Sequence, residues 1–541
     1  MTEQASHTHG GTEIPLLTVT IGERLDRAVA EFGEREALVD LVSGRRWTYA
    51  DLGRDVERVA RGLAALGVVK GDRVGVWAMN RPEWVLVQYA TARLGAVLVN
   101  VNPAYRTEEL AYALRQAGVS LLVAQGSYRD ADFRAMVAGV RGRCPELRTA
   151  VFLGEPSWAD LLRRGDEARP GPREVLHCDE PINIQYTSGT TGFPKGATLS
   201  HRNILNNGHC VGALLGYGPE DRICVAVPFY HCFGMVVGNL AALSHGACVL
   251  IPSEGFDPAA TLRAVESERA TSLYGVPTMF IAELGLPDFA SYDLSSLRTG
   301  LMGGSPCPAE LMRRVRTDLH MPEVAIAYGM TETSPVSTMT RVDDPEEHRV
   351  ATVGRAVPQV EVRIADPATG RTLPRGTVGE LHTRGYSVML GYWGEPERTA
   401  EAVDAEGWMR TGDLAEMRED GYLAVVGRIK DVIIRGGENV YPREVEDLLH
   451  THPAVADVQV VGVPDERYGE EVCAFVVLRE PAGALGREEA VAREIAEFCR
   501  GRIAHFKTPR HVRLVEGFPM TVSGKVRKAE LREAAARSLG R

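Results

Sequence analysis

Tyr186-Thr-Ser-Gly-Thr-Thr-Gly-Phe-Pro-Lys-Gly196 follows an alternating, strand-like run, Ile182–Tyr186. Between Thr187 and Gly196 it gathers four hydroxyls, three glycines and one lysine. That content suits a polyphosphate. Glycines let backbone N–H groups approach and turn inward, hydroxyls donate, and an ammonium adds compact charge. The spacing is not that of a Walker loop, which needs Gly-x-x-x-x-Gly-Lys-Ser/Thr. Here Lys195 follows Phe-Pro and precedes Gly196. Taken alone, the stretch fits a plain Ser/Thr/Gly surface loop equally well, so its surroundings decide.

Outward from this stretch, short β-branched runs alternate with helical patterns. Val74–Met79, Leu121–Ala124, Ile223–Val227 and Cys248–Ile251 read as buried strands, while Glu108–Gln116, Pro258–Glu268 and Ala309–Leu319 read as helices. Strand-then-helix alternation over such a length predicts an α/β architecture. The composition shifts after about residue 427, at Gly427-Arg-Ile-Lys-Asp431 and Arg435-Gly-Gly-Glu438. A compact pattern follows: a helix near Arg443–His450, strands Asp457–Val463 and Glu471–Leu478, and a helix Glu488–Arg500. That is enough for a separate small domain. The expected organisation is a loose tail 1–17, a large domain 18–427, a hinge 428–430 and a small α/β domain 431–541.

Composition excludes several classes. Hydrophobic residues make up 44% and charged residues 25% of the 541, as in ordinary globular protein. Acids outnumber bases 72 to 61, for a net charge of −11, which points away from nucleic acid. No stretch reaches the ~18 apolar residues of a membrane span. The closest, Gly234 to Ile251, is broken by Asn239, Ser244 and His245. Nine cysteines without a Cys-x-x-Cys pair point away from zinc modules and disulfide frameworks. With no apolar signal core at the N-terminus, a reducing cytoplasm is the default expectation. Only six of the 61 basic residues are lysine, and three of these, Lys195, Lys430 and Lys525, fall inside motifs.

Taken together, the motifs resemble the adenylate-forming superfamily of acyl-CoA synthetases, peptide-synthetase adenylation domains and luciferases. Besides the loop, six segments occur in the family order: Pro228–Gly234, Gly303–Pro306, Tyr328-Gly-Met-Thr-Glu-Thr333, Gly407–Asp413, Gly427–Asp431 with Arg435–Gly437, and Pro519–Lys525. Arg435–Pro442 and Val460–Pro464 look most like medium-chain fatty-acyl-CoA ligases.

The resemblance implies a fold with a large multi-layer N-terminal domain and a small mobile C-terminal one. It also implies roles. Thr187, Ser188, Gly189, Thr190, Thr191, Gly192 and Lys195 would hold the ATP phosphates, and Gly303, Gly304, Ser305, Tyr328 and Gly329 would border the adenine. Glu332, with Thr187, would hold Mg²⁺, and Thr331 would contact the α-phosphate. Asp413 with Arg428 would take the ribose hydroxyls. His231, Phe233, Gly234, Val237 and Gly303 would line the acyl pocket, with His231 positioning rather than acting as a base. Lys525 would reach the carboxylate and α-phosphate, Lys430 would be the hinge, and Gly436 and Gly437 would flank CoA.

No Asp or Glu occurs from Arg222 to Ser253. A substrate ammonium buried there would lack a partner, so the expected acid is apolar, aliphatic or aryl. The implied reaction is Mg·ATP-dependent adenylation followed by transfer to CoA. A carrier-protein thiol as acceptor, a homodimer, and a non-catalytic acyl or nucleotide sensor are the readings left open.

Overall fold

The computed structural model describes residues 4–169, 174–187, 194–479, 488–520 and 526–539. The chain packs as two units. The larger is Thr8–Val362 with Thr383–Arg410; the other is Met1–His7, Arg363–His382 and Thr411–Arg541. The division therefore does not fall at the composition shift near residue 427. It passes inside the strands Val360–Ala365, Gly379–Gly385 and Met409–Met417.

Two sheets organise the larger unit. One has seven strands, in the order 391–392, 195–200, 181–187, 97–100, 73–77, 119–124 and 149–152. Pro181–Thr187 runs parallel to Val97–Asn100 and antiparallel to Lys195–Ser200. The other has nine strands, in the order 355–356, 336–339, 323–329, 299–303, 272–275, 222–225, 248–251, 36–40 and 45–48. Its central strands are parallel. Strands buried on both faces need continuous apolar sequence, and Cys248–Ile251 is buried throughout. Helices begin where side chains can satisfy their first N–H groups. Asp257 Oδ1 accepts from Ala260 N at 2.7 Å and Pro258 opens the helix Pro258–Glu268. Ser200 and Asn203 form a reciprocal capping box at the start of His201–Leu214.

In the other unit, Gly469–Leu478 pairs antiparallel with Val455–Asp465 and parallel with His511–Leu514. Val445, Leu449, Val458, Val460, Val472, Ala474, Val476 and Ile495 fill its core.

The expectation of a loose tail at 1–17 needs correction. His7–His9 is a strand, and Ser6 is fully buried. Ser6 N donates to Leu373 O at 2.8 Å, and Ile364 N donates to Ser6 O at 2.9 Å. Backbone groups hold this segment, so its polar side chains carry no signal of order. None of the nine cysteines forms a disulfide, and all are buried. Among the described residues no helix is long and apolar enough to cross a membrane.

Candidate active site

Thr187 ends one strand and Lys195 begins its antiparallel partner, and the two stand directly opposite in the ladder. Lys195 and Thr187 are thus fixed at the base of the phosphate-type stretch. Ser188, Gly189, Thr190, Thr191 and Gly192 lie outside the described residues, as does Lys525.

Glu332 meets this base. It sits in the short 3-10 turn Thr331–Thr333 and is only 4% exposed. Its Oε1 accepts from Thr187 Oγ1 at 3.1 Å and from Tyr392 Oη at 2.9 Å. Lys195 Nζ lies 4.4 Å from the centroid of the Tyr392 ring, within cation–π range. Burial first, and then the Glu332 carboxylate, push the Tyr392 hydroxyl well above its ordinary value, so it stays protonated and donates. Tyr392 was not singled out from the sequence. It belongs to a two-residue strand, Gly391–Tyr392, pairing with the free edge of Lys195–Ser200. Trp393 N donates to Gly196 O at 2.8 Å and secures the same edge.

The turn bearing Glu332 is over-determined. Thr333 Oγ1 donates to Pro335 O at 2.8 Å, and Met330 N donates to the same carbonyl at 3.0 Å. A Cβ at Gly329 would fall 1.8 Å from Pro335 O, so this turn tolerates only glycine there. Gly303 ends its strand level with Ala327, one residue before Tyr328, in the parallel pair 299–303 and 323–329. Gly304 follows with φ +83°. Gly303, Gly304, Tyr328, Gly329, Thr331 and Glu332 therefore gather at the carboxyl ends of parallel strands, where open α/β sheets bind ligands.

The 228–237 stretch joins the same turn, because Cys232 Sγ lies 3.8 Å from Thr331 Oγ1. His231 is half-buried, its ring 4.6 Å from that of Tyr230. Phe233–Leu240 is a π-helix, and Val237 in it is buried. Gly234 faces backbone: a Cβ there would lie 2.4 Å from Pro228 O. A bulky substitution at 234 would therefore disturb the fold before it filled any pocket.

The other unit carries the remaining expected residues. Asp413 and Arg428 stand opposite each other in an antiparallel pair, and Arg428 Nε donates to Asp413 Oδ1 at 3.1 Å. Lys430 lies in the turn Ile429–Asp431, which Arg532 ties through Asp431 Oδ1 at 2.7 Å. Gly436 and Gly437, with φ +61° and +89°, make a two-residue hairpin turn between Arg435 and Glu438. Arg435 grips the fully buried Glu471 through two bonds of 2.6 and 2.9 Å, holding the hairpin base.

For a Mg²⁺ ion the donor chemistry fits. Thr187 Oγ1 and Glu332 Oε1 are hard oxygens 3.1 Å apart. An octahedral ion with ligands at about 2.1 Å needs neighbouring oxygens about 3 Å apart. Among the described residues, the one grouping of three His, Cys, Asp or Glu within ligating reach is His177, Cys178 and Asp179. Glu332 offers one such carboxylate, and an ion that also uses substrate phosphates commonly takes one or two.

Buried Glu332 thus stands beside the Thr187–Lys195 strand pair. The chain belongs to the AMP-binding enzyme family, whose main domain it matches over residues 25–393 and whose C-terminal domain it matches over residues 444–525. It is 43% identical to the zebrafish (Danio rerio) mitochondrial medium-chain acyl-CoA ligase ACSF2, covering 99% of this chain and 91% of that one. It is 45% identical to YngI of Bacillus subtilis, named a candidate acyl-CoA synthetase, covering 96% and 97%. Among solved structures it resembles the anthranilate CoA ligase AuaEII in complex with anthranoyl-AMP, with TM-score 0.87, 28% identity, and coverage of 98% and 99%.

Proposed function

We propose that the protein is an AMP-forming acid–CoA ligase for apolar, medium-chain fatty acids. In the first step a carboxylate oxygen attacks the α-phosphorus of ATP and pyrophosphate leaves. In the second, the CoA thiolate attacks the acyl carbon and AMP leaves. The observation that carries this reading is the buried Glu332, held by Thr187 and Tyr392 beside Lys195.

Thr187 and Glu332 would hold Mg²⁺, which when bound neutralises charge on the phosphate oxygens. Lys195 adds its ammonium at the same base. No residue here is a covalent nucleophile in this scheme, so catalysis is positioning and electrostatic stabilisation. Asp413 and Arg428 would take the ribose diol, and Lys525 would meet the reacting carboxylate. Gly436 and Gly437 leave the hairpin tip without side chains, which suits the thin pantetheine arm of CoA.

The acid is read from the 228–237 stretch. Phe229, Met235, Val236 and Val237 are buried there. The absence of Asp and Glu from Arg222 to Ser253 gives an ammonium group no partner. His231 would position the carboxylate end.

A pyrophosphate-release screen with fatty acids from butanoate to palmitate, benzoates and cinnamates, with and without CoA, tests the proposal. The expected result is ATP- and acid-dependent release, strongest with medium-chain fatty acids, and a thioester formed only with CoA. Release with no acid tested sinks the adenylation reading. Release without thioester, until a carrier protein is supplied, moves the acceptor from CoA to that carrier. The role of Lys525 is tested separately. Lys525→Ala is expected to lose pyrophosphate release yet still convert supplied acyl-adenylate and CoA to thioester.

A further inference from the structure

Phe233 and Val237 lie on a π-helix, Phe233–Leu240. Such helices bond i to i+5 and are uncommon beyond a single turn, so eight residues need outside support. The apolar sequence of this stretch does not supply it. Side chains from neighbouring elements do. Gln88 Nε2 donates to Met235 O at 3.2 Å, Tyr89 Oη to Asn239 O at 3.0 Å, and Tyr274 Oη to Val237 O at 3.2 Å.

Tyr274 differs from the other two donors. It lies in the buried strand Ser272–Gly275, and its ring also stacks on Phe233, with centroids 5.7 Å apart and planes 25° apart. One side chain therefore touches both Phe233, through its ring, and Val237, through its hydroxyl. The hydroxyl is itself held. Tyr217 Oη lies 2.7 Å from Tyr274 Oη and 2.6 Å from Ser272 Oγ. The carbonyl at the end of this row can only accept, which fixes the direction of every bond. Ser272 donates to Tyr217, Tyr217 to Tyr274, and Tyr274 to Val237. Each hydroxyl in the row donates once, and all three residues are buried, so the row is stiff.

We propose that Tyr274 is a specificity-determining positioning residue for the acid substrate, fixing Phe233 and Val237 relative to each other and so setting the depth of the acyl wall. This rests on the placement of the acyl pocket at Phe233 and Val237. Tyr274 acts through those two residues, and its hydroxyl is committed to the wall.

The test is the chain-length profile of kcat/KM for saturated fatty acids, measured with the KM for ATP in the whole protein. Tyr274→Phe keeps the ring and removes the bond to Val237. The preference for the best acid over the next longer even-numbered acid is expected to fall about 2- to 10-fold, the range of one net hydrogen bond. Tyr274→Leu, which removes the ring stack as well, is expected to flatten the profile further. The KM for ATP should stay within about twofold of the parent in both, well below the loss of one hydrogen bond to a charged group. Phe233→Ala is measured alongside. If Phe233→Ala shifts the profile and both folded Tyr274 variants keep it, the assignment of Tyr274 is wrong. An equal loss on every acid shows a merely structural tyrosine and overturns it too. If Phe233→Ala itself leaves the profile unchanged, the pocket is misplaced and the inference falls with it. Should Tyr274→Leu not fold, Tyr274→Phe decides alone.

Discussion

Two glutamates of the larger unit are almost equally buried and oppositely partnered. Glu332, 4% exposed, has one carboxylate oxygen gripped by two hydroxyls from different strands. Glu283, on the helix Pro277–Leu284, is 1% exposed, and neither of its oxygens meets a hydrogen-bond partner among the described residues. Burial alone pushes the Glu283 carboxyl well above the usual carboxylate range, which favours its neutral form in the core. The difference teaches what makes a buried acid a site. It is the set of groups aimed at it: Thr187 and Tyr392 meet at Glu332 from separate strands, whereas no described residue hydrogen-bonds to the Glu283 carboxyl.

Breaking the first member of the pair should have the largest effect. Glu332→Gln keeps the shape and removes the charge. Turnover in pyrophosphate release is expected to drop ~10²-fold or more, the scale of one key electrostatic contact. Near-normal turnover at saturating Mg²⁺ would remove Glu332 from the metal role. A third carboxylate sharpens the contrast, since Asp413 is reached by the half-exposed Arg428. Asp413→Ala is expected to raise the KM for ATP by about 10- to 100-fold, the worth of hydrogen bonds to a charged group. An unchanged KM would mean that Asp413 does not hold the nucleotide. Next comes Tyr392→Phe, which takes one of two donors from Glu332. A loss of about 10-fold in kcat/KM is expected, the low end for a single hydrogen bond to a charge. Full activity in that variant would make the phenol a bystander.

Glu283 gives the smallest effect, and it appears only in stability. An acid with a raised folded pKa contributes its stability fully below the unfolded value, about 4.5. That contribution is lost as pH rises toward the folded value, because the unfolded chain ionises and the folded one does not. Glu283→Leu should therefore leave ligase activity intact and flatten the fall in melting temperature between pH 5 and pH 8. For a unit as large as this one, 1 kcal/mol corresponds to roughly 1–2 °C. A parallel pH dependence in parent and variant, followed by differential scanning fluorimetry, would mean that Glu283 is paired after all.

Periodicity made much of the scaffold legible. Cys248–Ile251 and Pro258–Glu268 have the boundaries expected from sequence, because an apolar run between turn residues and an Asp-Pro helix start are both local signals. The acid of the Tyr-Gly-Met-Thr-Glu segment stands out only through its place in the family motif, since a lone Thr-Glu reads equally as a helix start. Its partner Tyr392 does not stand out. A two-residue strand has no pattern of its own, and its place is set by the free edge of Lys195–Ser200 far earlier in the chain. The π-helix was hidden for a related reason. Phe233–Leu240 is apolar almost throughout, so no period shows, and its register depends on donors at Gln88, Tyr89 and Tyr274. Gly234, a pocket glycine by resemblance, has a second reason to be small that sequence does not show, since a Cβ there would meet the Pro228 carbonyl.

The burial of every thiol has a practical consequence. Cys144, Cys178, Cys210, Cys224, Cys232, Cys248 and Cys307 belong to the larger unit, and Cys473 and Cys499 to the other. Burial pushes Cys210 and Cys499 up to about 11, and Cys248 and Cys473 up to about 12. Folded, these sulfurs are protonated and screened from reagents; released, they return to an ordinary thiol value near ~8.5 and react. The rate at which an alkylating reagent labels each one is therefore a clock for how often its surroundings open. Mass spectrometry of the labelled peptides would time the two units separately within one intact chain, with no fluorophore or engineered probe added.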